Sequence, residues 1–246
     1  MIYLIIICII LIIYIFYKLI FNKLCNSNLD YYIYDTDVPG PTILMIGGTH
    51  GNEPAGSISI KNLQKKINNK NVILNKGKLI LIPELNSFAL RLNIRSIPFI
   101  GDMNRKYPSN ANEISDNCII NQIIQIIENT DIVIDFHEGW GYHKINKNSI
   151  GSTITPTNTD LSKNIASIIQ KKLNNTISDE NKKFEVINST TENTSINIKG
   201  SLQYFMDISN KNYILVETTG QNNIQPLHVR TSQCDTVIQS ILENYC

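Results

Sequence analysis

The sequence predicts an α/β domain, a mostly parallel sheet covered by helices on both faces, carried behind an N-terminal membrane helix. Three observations predict it. Short, unbroken apolar runs rich in β-branched residues alternate with longer runs of helical period, and strands without polar alternation are those buried on both faces. The opening MIYLIIICIILIIYIFYKLIF is apolar except for Lys18, and about 20 such residues span a hydrocarbon core as a helix. At 246 residues and 42% hydrophobic content, the chain has material for one ordinary domain plus that appendage.

The first element is expected to be an uncleaved anchor. A secretory signal would have a basic start, a shorter apolar region and small residues at a cleavage site, none of which precedes NKLCNSN. Lys18 and Lys23 flank its C-terminal side; the positive-inside tendency would place the downstream domain in the cytosol, although two charges leave the orientation open. After a Pro-Gly-Pro turn at Pro39–Pro41, TILMIGG (42–48) reads as a buried strand. Pro54 then opens a helix through AGSISIKNLQKKI, and KLILIPE (78–84) reads as the next strand, parallel to the first. Residues 85–113 form a long irregular loop, a length more often functional than not. A helix SDNCIINQIIQIIENT, a central strand DIVIDFHEG (131–139), a helix TDLSKNIASIIQKKLNN (159–175), a polar stretch to about 198, a strand NYILVETTG (212–220) and a closing helix TSQCDTVIQSILENYC complete the alternation.

Composition removes several functions. Lys+Arg of 22 against Asp+Glu of 21 gives a net charge of +1, so no field draws the protein to nucleic acid. The five cysteines, Cys8, Cys25, Cys118, Cys234 and Cys246, are scattered and odd in number. That pattern fits free thiols rather than a disulfide framework or a cysteine metal site.

Sites in open α/β sheets form beyond the carboxyl ends of the strands. Three strands here end in residues able to do chemistry: LMIGGTH delivers His50 and, just beyond it in the same loop, Glu53; VIDFH delivers His137; and ILVE delivers Glu217. Alone, a strand-end histidine fits a structural role and a glutamate at a helix start fits a cap. Together, two histidines and a glutamate make a zinc ligand set with a fourth position left for water. The run DFHEGWGYH does not extend this to an H-E-x-x-H motif, because position 141 is Gly141 and His143 has the wrong spacing.

The order H-x-x-E, D-x-N-R, strand-end His, strand-end Glu resembles the zinc carboxypeptidases of the carboxypeptidase A kind. Within them it is most similar to the succinylglutamate desuccinylase and aspartoacylase branch, with its GGTHGNE opening. The resemblance covers residues 40 to 246. It implies a three-layer α/β/α sandwich with a mixed, mostly parallel sheet, divided as a 1–22 anchor, a 23–40 linker with a first strand, and a 41–246 catalytic domain. It further implies one zinc ion held by His50, Glu53 and His137, with Glu217 as general base and Asp102 orienting the first histidine. In DMNR, Asn104 and Arg105 match the pair that grips a substrate carboxylate. The arginine that polarises the scissile carbonyl is Arg95, with Arg91 as the alternative, and Tyr204 and Tyr142 are candidates for a mobile tyrosine. The chemistry agrees: amide hydrolysis needs a Lewis acid, a base and a cation near the developing oxyanion, and a guanidinium can hold a free carboxylate by a bidentate fork.

The expected function is a membrane-anchored, zinc-dependent hydrolase of an amide beside a free carboxylate, a carboxypeptidase-like peptidase. The rivals are a deacylase of N-acyl amino acids and an inactive, membrane-tethered binding module. The desuccinylase branch carries a C-terminal β domain, whereas this sequence stops one helix after ETTGQNNIQPLHVR, which favours a more open pocket and a peptide.

Overall fold

The computed structural model describes residues 2–26, 29–98, 100–188 and 198–246. Four parallel strands form its centre: β2 (Thr42–Ile46), β3 (Lys78–Ile82), β4 (Ile132–Gly139) and β7 (Asn212–Thr219). They lie in the spatial order β3-β2-β4-β7. All except the first residues of β2, β3 and β7 are buried, as their continuous apolar sequences require. The sheet widens at both edges by an antiparallel pairing, as expected of a mixed sheet with a first strand within 23–40. β1 (Tyr32–Asp35) pairs with β3, β5 (Thr153–Pro156) pairs with β7, and the two-residue β6 (Glu185–Val186) runs parallel to β5. Neither β5 nor β6 figures in the sequence reading. The sheet is therefore mixed and mostly parallel, with seven strands.

Residue parity along the strands sorts the core into two layers. Ile43, Met45, Ile134, Phe136, Ile214 and Val216 pack on one face against α2 (Pro54–Asn68), α5 (Asp160–Asn174) and α7 (Leu227–Tyr245). Leu44, Ile46, Val133, Tyr213 and Leu215 pack on the other against α4 (Cys118–Glu128) and α6 (Leu202–Ile208). Local signals start the helices where expected: Pro54 opens α2, the Asn117 side chain accepts from Ile119 and Ile120 at the head of α4, and Thr159 caps α5. Two short helices fall outside the sequence reading, α3 (Ser87–Leu92) inside the long loop and α6. The closing helix starts at Leu227, four residues early, because Pro226 serves as its N-terminal boundary.

Three expectations need correction or bounding. The apolar opening is a helix, α1 (Ile2–Asn26). Among the described residues no helix is long and apolar enough to cross a membrane. Cys8, Cys234 and Cys246 are free, whereas Cys118 is disulfide-bonded: sequence spacing does not say which cysteines folding brings together. The side chains of Lys23 and Cys25, and positions 189–197 of the polar stretch, lie outside the described residues.

Charge also ties the sheet to one of its helical layers. Glu138 points from β4 toward α7, where Arg230 pairs with it in the interior. Removing one partner of a buried pair strands the other charge, so Arg230→Ala is expected to cost about 3–5 kcal/mol in urea unfolding; a loss under about 1 kcal/mol would place the pair in solvent instead.

Candidate active site

The site begins with the turn after β2. Gly47 donates to the Ile82 carbonyl at 2.9 Å and Gly48 accepts from Asn86 at 2.9 Å, which laces the turn to the chain leaving β3. Gly48 holds a φ of +70°, a conformation that disfavours side chains. At Gly51 a Cβ would lie 2.0 Å from the Ala89 backbone of α3. Pinned in this way, the turn sends His50 and Glu53 inward, 2% and 3% exposed.

Glu53 stands at the N-terminal boundary of α2 yet caps nothing. The Ala55 N–H at the head of that helix donates instead to Glu138 Oε1 at 2.7 Å. Because Glu138 carries the capping role, held by Arg230, the Glu53 carboxylate is released toward the strand ends.

There it meets two imidazoles. His50 Nδ1 lies 2.9 Å from Glu53 Oε1, His137 Nδ1 lies 2.9 Å from Glu53 Oε2, and the two Nδ1 atoms are 3.1 Å apart. Both outer nitrogens face carboxylates: His50 Nε2 lies 3.0 Å from Asp102 Oδ1, and His137 Nε2 lies 3.2 Å from Asp135 Oδ2. An Nε2–H donated to each carboxylate leaves a lone pair on each Nδ1, so three electron-rich groups converge on one point. Such convergence needs a proton or a cation between the groups. Burial opposes charge on His137, yet Asp135 and Glu53 outweigh it and hold its pKa well above the usual histidine value. For Glu53 and Asp102, burial favours the acid, and the neighbouring histidines reverse this and push both below the usual carboxylate range. Ligand atoms of His50, Glu53 and His137 all lie within 4.8 Å of one another. Two imidazole nitrogens and a carboxylate oxygen, with outer partners fixing the tautomers, fit a divalent metal.

Glu217 completes the group. It pairs with His137 in the β4–β7 register, and its Oε2 is buried with no hydrogen-bond partner among the described residues. Burial raises its pKa to about 8, His137 opposes the rise, and the Glu53 and Asp135 charges reinforce it. A carboxyl group poised near neutral pH is suited to exchanging protons.

A cleft of about 50 Å³ opens over these residues, lined also by Arg95, Asn104, Arg105, Ile150, Leu215 and Gln221. Arg95 spans Glu53 Oε1 at 3.1 Å and Asp102 Oδ2 at 3.1 Å. Arg91, the alternative, sits with its guanidinium 6.0 Å from the Phe88 ring and does not line the cleft. The Asn104 side chain accepts from Leu202 N–H at 2.9 Å, linking the D-x-N-R turn to α6. Arg105 is exposed, donates to the Asn104 carbonyl at 2.6 Å and enters no salt bridge among the described residues. Neither Tyr204 nor Tyr142 lines the cleft.

The sequence reading missed Asp135, Gln221 and the Glu138–Arg230 pair. Asp135 carried a signal, since residues two apart on a strand share a face and D-x-H puts the acid beside the histidine. Gln221 lies in a 3₁₀ turn after β7 (Gln221–Asn223) that no pattern announced.

Comparison with known proteins finds relatives in sequence and in fold. Residues 39–154 match the succinylglutamate desuccinylase/aspartoacylase catalytic domain family. An N-alpha-acetyl-L-2,4-diaminobutyric acid deacetylase from Halomonas elongata is 28% identical over 102 residues, covering 41% of this chain and 29% of the relative. In structure, the chain is similar to product-bound cell shape determinant protein Csd4 from Helicobacter pylori, at a TM-score of 0.70 and 18% identity, over 88% of this chain and 55% of that one. A succinylglutamate desuccinylase/aspartoacylase from Rhodobacter sphaeroides has the same fold at a TM-score of 0.59 and 18% identity, over 88% and 58%. The chain thus spans little more than half the length of these solved relatives, and less of the deacetylase.

A ligand that binds only the folded chain stabilises it by mass action. A divalent ion at a hundredfold excess over its dissociation constant is expected to add about 2.7 kcal/mol to thermal or urea stability, and His137→Ala should abolish the gain. An equal gain in the variant would place the ion elsewhere.

Proposed function

We propose that this chain is a zinc-dependent hydrolase that cleaves an amide bond next to a free carboxylate, acting as a carboxypeptidase-like peptidase. One observation carries the reading: the buried donors of His50, Glu53 and His137, a buried carboxyl at Glu217 and the Arg105 guanidinium, without a salt bridge among the described residues, all face one cleft. A structural histidine cluster would have no use for the last two.

In this reading His50, Glu53 and His137 hold the zinc, which supplies Lewis acidity toward the carbonyl and lowers the pKa of water to about 7. The chain's own groups do the rest. Arg105, steadied by Asn104, binds the substrate carboxylate and thereby sets which amide reaches the centre of the cleft. Glu217 takes a proton from the attacking water and returns it to the amide nitrogen, so that the C–N bond breaks to a carboxylic acid and an amine. Arg95 faces the negative charge that develops on the carbonyl oxygen. Asp102 holds the His50 tautomer, and Asp135 holds that of His137.

A second reading has its own support. The family match and the Halomonas elongata relative point to removal of an acyl group from an amino acid; the shape likeness to Csd4, a D,L-carboxypeptidase in its mDAP-bound form, accompanies the peptide reading. Both use the same residues and cleave an amide whose nitrogen side carries the carboxylate; they differ in whether the acyl side is a peptide or a simple acyl group. In either case, the apolar opening 1–22 is read as a tether to a membrane. Retention of the chain in the pellet after alkaline extraction of membranes supports that tether, and release into the supernatant contradicts it.

Glu217→Gln keeps the shape of the base and removes its proton chemistry. It is expected to lower kcat by roughly 10²–10⁴-fold with zinc content unchanged, whereas Arg105→Ala should act mainly on KM. Purified enzyme is expected to release C-terminal amino acids from peptides. Release of carboxylic acids from N-acyl amino acids with none from peptides would replace the peptidase by the deacylase, and release from neither would remove both.

A further inference from the structure

We infer that Tyr213, which touches neither the cleft nor the ligand atoms, is a positioning residue for the metal site: through Asp135 it fixes the orientation and tautomer of His137. The inference rests on the metal reading above and deepens it.

The register of the sheet makes the contact. Asp135 on β4 stands opposite Leu215 on β7, and Tyr213 lies two residues before Leu215, so Tyr213 and Asp135 are diagonal neighbours on one face. The Tyr213 hydroxyl donates to Asp135 Oδ2 at 2.9 Å. That same oxygen faces His137 Nε2 at 3.2 Å. Asp135 is fully buried, and its other oxygen, Oδ1, has no hydrogen-bond partner among the described residues. Among the described residues, its charge is thus met by two donors, an imidazole and a phenol.

The contrast with the other orienting acid sharpens the point. Asp102 is 20% exposed, and besides His50 it faces the Arg95 guanidinium and accepts the Asn104 N–H. Losing one donor leaves Asp102 with others and with water. Losing the Tyr213 hydroxyl leaves Asp135 with His137 alone, in a place where an unpaired carboxylate is expensive. The acid would then turn, and the Nε2–H that keeps the Nδ1 lone pair aimed at the ligand site would lose its acceptor. Burial, then the Asp135 charge, raise the Tyr213 pKa well above the usual phenol value, so the group remains a donor.

The fold supplies its own control. Tyr107 is also buried, 3% exposed, on the same side of the sheet, and its hydroxyl makes no hydrogen bond among the described residues. Burial, then the Asp135 charge, raise its pKa well above the usual phenol value, so removing it deletes a buried oxygen that lies near Asp135 without hydrogen-bonding to it and leaves the Tyr213–Asp135–His137 contacts in place.

The test is zinc affinity of the full chain, measured by competition with a chromogenic zinc chelator. Tyr213→Phe is expected to weaken zinc binding by at least about tenfold, Asp135→Asn by as much or more, and Tyr107→Phe by less than about twofold. In the Asp135→Asn background, Tyr213→Phe should have no further effect. Wild-type affinity in Tyr213→Phe, an equal loss in Tyr107→Phe, or a full additional loss in the double variant each overturns the inference while leaving the metal site standing. A wild-type chain with no zinc affinity overturns the metal reading, and this inference with it.

Discussion

Three lone-pair donors driven onto one point is the constraint on which the rest of this structure depends. His50, Glu53 and His137 come from two chain segments, and their buried ligand atoms sit at hydrogen-bond separation from one another at the floor of the cleft. Left to itself, such a cluster repels unless a positive charge enters it. The surrounding residues are arranged so that the cluster cannot relax. Asp102 and Asp135 engage the outer nitrogens, Arg95 braces Glu53 and Asp102, and the Glu138 N–H donates to Glu53 Oε2 at 3.1 Å.

Strand parity makes this arrangement possible. Along β4, Asp135 and His137 face the cleft side, while Phe136 enters the opposite core and Glu138 turns toward α2 and Arg230. One strand therefore serves the site with alternate residues and the scaffold with the others. A slip of a single residue would exchange the two sets, which is why unbroken burial on both faces matters to function as much as to stability. The order of the strands contributes equally. β2 sits between β3 and β4, so the chain leaves it first to one side and then to the other, and the crevice at that switch is where α/β sheets place ligands.

Much of this was legible in the sequence, for identifiable reasons. The four central strands are continuous apolar runs, and Pro54 marks the start of α2. The glycines around His50 and Glu53 announce a tight turn carrying polar groups. What escaped notice lacked a local signal. β5 is the four residues TITP and β6 is only EV, too short and too polar to show a period. α6 is a single short helix beside a polar stretch. Asp135 was readable from its spacing to His137, but Arg230 was not, because only the packing of α7 on the sheet brings it to Glu138. The choice of Arg95 over Arg91 likewise required the fold: both lie in the same loop region, and of the two it is Arg95 that reaches the carboxylates.

The most direct test of the account is zinc K-edge X-ray absorption on the purified full chain loaded with one equivalent of zinc. The account predicts a first shell of nitrogen and oxygen at about 2.0–2.1 Å, with the multiple scattering of two imidazoles, lost in His50→Ala. A shell containing sulfur at about 2.3 Å, or no zinc retained by the wild-type chain, would contradict it.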